Sequence, residues 1–92
     1  MSKHLDLDAA VALLGGDRSF LLEAIRHEVV CETTLSVVAV ERVRVVRTLV
    51  RDLDINWESV DVIMNLRDEL MATRRQVTEL IALLREREHE SL

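Results

Sequence analysis

The sequence predicts an all-α fold in which a small head is followed by one long C-terminal helix. Apolar residues make up 49% of the 92-residue chain, yet Phe20 and Trp57 are its only aromatic residues. The core must therefore be built from aliphatic side chains and methionine, which favours helices packed on helices. From Ser36 onward the chain contains neither glycine nor proline, so few residues there oppose helix formation.

Two short helices are predicted at the start of the chain. The first covers Leu5 to Leu14, and Gly15-Gly16 ends it. Its exposed amides can donate to Asp6 or Asp8. Asp17 is placed as the N-cap of the second helix, in which apolar residues recur at helical spacing. Two short helices joined by a glycine turn are typical of a helix-turn-helix head.

A segment rich in β-branched residues follows the second helix. Val29 to Leu35 predicts either a minimal β-hairpin or a single extended segment, which would form a minimal or vestigial wing. Cys31 lies in this segment and is the only cysteine of the chain. We expect it to be a small buried apolar residue, as free cysteines usually are.

A third helix is predicted from Ser36, its N-cap, to Leu53. The many valines of this stretch also suit a strand, but Arg44, Arg47 and Arg51 recur at i, i+3 and i+7, which is one face of a helix. A second row at helical spacing indicates the buried face, and it consists of Val43, Val46, Val50 and Leu53.

The long C-terminal helix is predicted to begin at Trp57, with Asn56 as its N-cap, and to run to about Glu88. It would extend over about 30 residues, or roughly 45 Å. Apolar positions alternating by three and four predict a coiled-coil seam for self-association, with Thr73 as a weak central position: Ile63, Leu66, Leu70, Val77, Leu80 and Leu84. Ile81 and Leu83 widen this face in the manner of a helical bundle. We expect a homodimer through this helix.

The chain is expected to be one domain overall, with residues 1–56 as the head and residues 57–92 as the tail. Its apolar runs are too short to cross a bilayer, and its start does not have the apolar core of a secretory signal. Together with the single cysteine, these features predict a cytoplasmic protein that does not enter a membrane.

No residue pattern indicates catalysis or metal binding. The three histidines, His4, His27 and His89, and the single cysteine show no ligand spacing. No nucleophile elbow, phosphate loop or dinucleotide motif is present. We therefore expect a protein that is not an enzyme and that uses no cofactor.

Nucleic-acid binding is disfavoured by charge. The formal net charge is −5, and the chain up to Leu35 carries three basic residues against six acidic ones. The candidate DNA contacts are Arg18, Arg26, Arg44, Arg47 and Arg51. For the row from Arg44 to Arg51, the alternative is a solvated helix face paired with Glu41 or Asp52.

The order of these parts resembles the MerR-like helix-turn-helix fold and, within it, the CbpM chaperone-modulator family. The resemblance is closest from Val40 to Leu84, especially in Arg47-x-x-x-Arg51-x-Leu53-x-Ile55-Asn56-Trp57-x-x-Val60, and the head matches in pattern only. The segment between the second and third helices is shorter than the usual MerR wing and has none of its basic and aromatic residues.

The resemblance implies a partner and a mode of action. Members of this family bind the J-domain of a DnaJ-like co-chaperone, CbpA, and restrain its stimulation of DnaK and its DNA binding, which implies inhibition by occlusion. Because J-domains present a basic helix, we expect an acidic contact surface. The candidate residues for this surface are Asp52, Asp54, Glu58, Asp61, Asp68 and Glu69. The alternatives are a small MerR-type transcription regulator and a dimerisation module in which the tail alone acts.

Overall fold

The computed structural model of the chain describes residues 4–91, which form four α-helices. They are α1 (Leu7–Leu13), α2 (Arg18–Arg26), α3 (Val37–Arg47) and α4 (Trp57–Ser91), with a 3-10 turn at Glu32–Thr34 and a π-helical turn at Thr48–Asp52. No β-strand occurs within residues 4–91. The predicted all-α class and the long C-terminal helix are therefore confirmed.

Each of the four helices begins at a polar side chain that accepts a hydrogen bond from the first turn. Such a cap contributes about 0.5–2 kcal/mol. The bonds join Asp6 to the amide of Ala9 at 2.7 Å, Asp17 to Phe20 at 3.2 Å, Ser36 to Ala39 at 3.1 Å and Asn56 to Ser59 at 2.8 Å. The predicted caps are thus confirmed, with Asp6 rather than Asp8 at the first helix.

The turn between α1 and α2 depends on two left-handed glycines. Gly15 has a φ of 73° and Gly16 a φ of 84°. The amide of Gly16 donates to the carbonyl of Val11 at 2.8 Å, which closes the end of α1. Residues with a Cβ adopt this conformation at a cost, so the sequence Gly-Gly fixes the place of the turn.

The predicted β-hairpin does not form between α2 and α3. Glu28 takes a left-handed conformation, with a φ of 61°, directly after α2. Glu32–Thr34 then form the 3-10 turn. The buried residue Leu35 accepts a hydrogen bond from the amide of Leu5 at 2.8 Å. The seven residues from Val29 to Leu35 include this 3-10 turn, so too few remain to form two paired strands. The backbone of Leu35 is hydrogen-bonded to Leu5 instead.

The third helix ends as an α-helix earlier than predicted. After Arg47 the backbone widens into the π-helical turn, and the amide of Leu53 donates to the carbonyl of Thr48 at 3.1 Å. The wider turn rotates the predicted apolar row away from the core. Val43 and Val46 are fully buried, whereas Leu53 is 60% exposed.

The core of the first unit is aliphatic, with one aromatic ring at its centre. Phe20 is completely buried. The side chains that share its burial come from all four helices and from the segment before α3: Ala10, Val11, Leu14, Leu21, Ala24, Leu35, Val40, Val43, Val46 and Val60. Cys31 is exposed, so the expectation that it lies in the core is wrong.

The chain divides into two compact units, one up to Asp61 and one from Val62 onward. The predicted boundary at residue 56 marks the start of α4, whose first turn belongs to the first unit. The predicted ranges 1–56 and 57–92 include residues 1–3 and 92, which lie outside the described residues. Up to Ser91, the second unit is a single helix with no other element of its own to pack against.

Candidate functional site

Asp17 joins the start of α2 to the arginines that follow α3. Its carboxylate caps α2 and also accepts hydrogen bonds from Arg47 at 3.2 Å and from Arg51 at 2.5 Å. The Asp17 side chain is only 18% exposed, against 47% for Arg51. One carboxylate therefore satisfies a helix terminus and two guanidinium groups at once.

These contacts change the acidity of Asp17. Partial desolvation acts to raise the pKa of Asp17, but the hydrogen bonds from Arg51, from the amide of Phe20 and from Arg47 outweigh it. The net pKa of the carboxyl group lies below its ordinary value. Asp17 is therefore held in the charged form in which it can bind both arginines.

The other predicted phosphate-binding arginines also contact the chain itself. Arg44 donates a hydrogen bond to the carbonyl of Leu13. It also lies 3.5 Å from Glu41, one of the two carboxylates predicted to pair with a solvated arginine face. Arg47 donates to the carbonyl of Leu14 at 3.1 Å. These bonds satisfy carbonyl groups at the C-terminal end of α1, where cations are favourable.

The two candidate arginines of α2 are more exposed. Arg18 pairs with Asp8 at 2.6 Å, and its side chain is half exposed. Arg26 lies 3.7 Å from Glu23 on the same helix, with its side chain 72% exposed. Of the five candidate DNA contacts, Arg26 is thus the one with the weakest internal partner.

An aromatic stack closes the first unit beside these charges. The rings of Phe20 and Trp57 are 5.6 Å apart between centroids, and those of His27 and Trp57 are 4.1 Å apart and nearly parallel. The guanidinium of Arg51 lies 4.9 Å from the centroid of Phe20, within cation–π range. Trp57 therefore packs against Phe20 at the core of the first unit.

The partly exposed Trp57 also lines an open pocket with a cavity volume of about 600 Å³. Its other lining residues are His27, Asn56, Glu58 and Asp61. Sequence reasoning did not assign His27 to this place. The signal was available, because Phe20 and His27 are seven residues apart and thus share one side of the α2 segment.

Four of the predicted partner-binding carboxylates lie in the first unit. They are Asp52, Asp54, Glu58 and Asp61, and all four are exposed. Within residues 4–91 none of them makes an ion pair. Asp54 has a φ of 54°, so the turn before α4 carries it in a left-handed conformation. Their charge is therefore available to a partner.

The predicted self-association seam lies on the second unit and is open along most of its length. Leu66 is 59%, Leu70 52% and Leu80 60% exposed, and Val77 and Leu84 are similar. Ile63 is half-buried. The remaining two predicted partner-binding residues, Asp68 and Glu69, are exposed on this unit as well.

No three histidine, cysteine or carboxylate side chains among the described residues come together in a way that could hold a metal ion. Within the same part of the chain, no helix has the length and apolar character that crossing a membrane requires. Comparison of the chain with protein-family models, with curated proteins and with solved structures returns no match.

Proposed function

We propose that this chain is a non-catalytic, cytoplasmic modulator that binds the J-domain of a DnaJ/CbpA-like co-chaperone and inhibits it by occlusion. One observation carries the proposal. Arg44, Arg47 and Arg51 are engaged with the chain's own carboxylates and carbonyl groups, whereas the acidic residues between Asp52 and Asp61 are exposed and unpaired within residues 4–91. The charge offered to a partner here is negative.

The surface around Trp57 suits a basic side chain. The indole ring is partly exposed, Glu58 follows it in the first turn of α4, and Asp61 lies four residues after it on the same helix. A lysine or arginine can place its charge against an aromatic ring and a carboxylate together. A basic helix, such as J-domains present, would supply several such side chains. Long-range attraction would also speed the encounter at low salt.

Inhibition by occlusion requires only that the chain bind the J-domain, without a catalytic step. If the basic helix of the J-domain is covered by this acidic surface, it is no longer available to DnaK. No bond is made or broken, so inhibition should follow the occupancy of the complex. Added DnaK should compete with this chain for the J-domain.

The proposal is tested by reversing the charge of Asp54, Glu58 and Asp61 together to lysine. A matched variant carries the same change of net charge at Glu32, Glu79 and Glu86, which are exposed and distant in sequence. Titration calorimetry with a purified J-domain should show at least about tenfold weaker binding for the first variant and nearly normal binding for the second. Equal affinity of the first variant and the wild type at low salt would contradict the proposal.

The second candidate function is that of a small MerR-type DNA-binding regulator. The observation that favours it is the pair of short helices joined by the tight turn at Gly15-Gly16. In such a regulator α2 would enter the major groove, and a dimer would read two half-sites. A mobility-shift assay distinguishes the two functions, because specific retardation of DNA at physiological salt favours the regulator.

We also propose that two copies of the chain associate through the seam on α4, which leaves apolar side chains exposed on a single chain. A scaffold in which the tail alone acts is the competing view. Deletion of the residues after Met71 tests it, because the truncated chain should retain the J-domain if the first unit holds the contact surface.

A further inference from the structure

We propose that His27 is a proton-operated gate at the pocket beside Trp57. When the imidazole ring is neutral, the pocket admits a basic side chain of the partner. When the ring is protonated, its own charge occupies the pocket and the partner binds more weakly. The inference rests on the proposed recognition of a basic partner and adds the regulation of that same surface.

The first observation is the position of the imidazole ring. His27 lies at the C-terminal end of α2, where its amide donates to the carbonyl of Glu23 at 2.9 Å. Its ring is stacked on that of Trp57, with 4.1 Å between the centroids and an angle of 8° between the planes. Both rings line the pocket, and both belong to the first unit. The imidazole is therefore one wall of the site and is already in contact with the indole.

The second observation is that the nitrogen atoms of this ring are not engaged. Within residues 4–91 the side chain of His27 makes no hydrogen bond and no ion pair. The residue is partly exposed, so protons from the solvent have access to it. Histidine is the type of side chain whose charge ordinarily changes between about pH 5 and 8. One wall of the pocket thus changes from neutral to positive in that range.

The charged groups around the imidazole come from α2 and α4. Glu58 and Asp61 of α4 line the same pocket, and neither makes an ion pair within the described part of the chain. On α2, Glu23 and Arg26 lie 3.7 Å apart and offset each other's charge. Glu28, the next residue of the chain, is exposed. A proton on the imidazole therefore adds a cation to a pocket whose unpaired charges are two carboxylates.

A protonated imidazole and a basic side chain of the partner would use the same interactions. Both are cations, and both gain from contact with an indole ring and from nearby carboxylates. The imidazole is already stacked on Trp57, whereas the partner must bring its cation from solution. A positive wall also repels an incoming lysine or arginine. Because the two cations oppose each other, binding of the partner must favour release of the proton.

The direction and the size of the effect follow from this opposition. Two unit charges about 4 Å apart in water repel each other enough to lower an affinity about fivefold. The wild-type chain should therefore bind a basic partner about fivefold more weakly at about pH 5.5 than at about pH 7.5. Carboxylic acids ordinarily titrate near pH 4, so they are not the class of group that changes charge over this interval.

Three variants separate the charge of the imidazole from its packing. His27→Phe keeps an aromatic ring beside Trp57 but cannot bind a proton, so its affinity should be the same at both pH values. His27→Arg keeps a planar cation there at every pH, so it should bind about fivefold more weakly than the wild type at about pH 7.5. His89→Gln, the matched control, removes another exposed histidine near the end of α4 and should keep the wild-type profile.

Titration calorimetry of the full chain with a purified J-domain measures both the affinity and the protons released. At about pH 6.5, titrations in two buffers of different ionisation enthalpy give the proton count. The wild type should release more protons than His27→Phe, because the partner selects the neutral imidazole. Titrating groups of the J-domain contribute equally to both proteins, so the difference belongs to His27. Circular dichroism at each pH checks that the variants remain helical.

Failure of this inference and failure of the proposed function give different results. If the wild type binds the J-domain equally well at about pH 5.5 and 7.5, the inference is overturned and the proposed function stands. The same holds if His27→Phe keeps the wild-type pH dependence, or if His27→Arg binds at about pH 7.5 with full affinity. Absence of J-domain binding at every pH overturns the proposed function and this inference with it.

Discussion

Arg51 donates to the carboxylate of Asp17 at 2.5 Å across 34 positions of sequence, and this contact connects the end of the third helical segment to the start of α2. The same carboxylate caps α2, so Asp17 both begins α2 and binds the guanidinium of Arg51, which follows α3. Arg51 lies over Phe20, so the ion pair covers part of the central ring of the core. The row formed by Arg44, Arg47 and Arg51 thus joins parts of the chain's own fold.

Replacing Asp17 by asparagine should lower the free energy of unfolding by about 1–3 kcal/mol. The variant keeps a cap for α2 but loses the charge that binds Arg47 and Arg51. The measurement is urea denaturation at neutral pH. Asp8→Asn is the matched control, because Asp8 pairs with one arginine on an 84% exposed side chain. The control should show a much smaller loss, and an equal loss would contradict this role for Asp17.

The stabilising effect of Asp17 should depend on pH in a defined direction. Its folded pKa is lowered, so its contribution is complete above the unfolded pKa of about 3.9 and is lost as the pH falls through the folded pKa. The stability difference between the wild type and Asp17→Asn should therefore be constant near neutral pH and shrink in acid. Unfolding curves across the acid range measure it. A difference that grows in acid would exclude the charge as its cause.

Gly16→Ala should destabilise the chain by about 1 kcal/mol through the backbone alone. The φ of 84° is unfavourable for an L-residue, yet no atom lies within 4 Å of the position that a Cβ would occupy. Because a positive φ is favourable for a D-residue, a semisynthetic chain with D-alanine at this position should be at least as stable as the wild type. Thermal unfolding of both chains tests this, and a D-alanine chain as unstable as the L-alanine variant would point to a steric cause.

Cys31 should be alkylated in the folded protein at a rate that depends on its neighbour Thr33. The thiol is exposed, and the Thr33 hydroxyl, 3.0 Å from its sulfur, lowers the pKa of Cys31. Thr33→Val should raise that pKa, so iodoacetamide should react more slowly near neutral pH but at a similar rate in alkaline solution. Thr34→Val, which removes a weaker contact, is the control. Identical profiles for all three proteins would exclude the hydrogen bond.

The features that sequence predicted well are local ones. The caps Asp17, Ser36 and Asn56 are predictable because a cap bonds to an amide only three residues away. Glycine at positions 15 and 16 gave the turn for a similar reason. The valine content did not decide between helix and strand. The spacing of Arg44, Arg47 and Arg51 decided for a helix, because it places their side chains on one helical face.

The features that sequence missed depend on distant contacts. Nothing near Arg51 indicates that its partner is Asp17, because the two meet only after the first unit has folded. The hairpin prediction failed because β-branched residues favour a strand only when a second strand can pair with them. The π-helical turn after Arg47 also has no local signature, and it left Leu53 exposed.

The central claim is that the exposed surface of the first unit recognises a basic protein and not a nucleic acid. The most direct test is titration of the purified full-length chain with a J-domain of the DnaJ/CbpA type, at low and at physiological salt, beside a mobility-shift assay with DNA under the same conditions. We expect saturable J-domain binding that weakens as salt is added, and no specific DNA complex. A sequence-selective DNA complex at physiological salt, with no J-domain binding at either salt concentration, would contradict the claim.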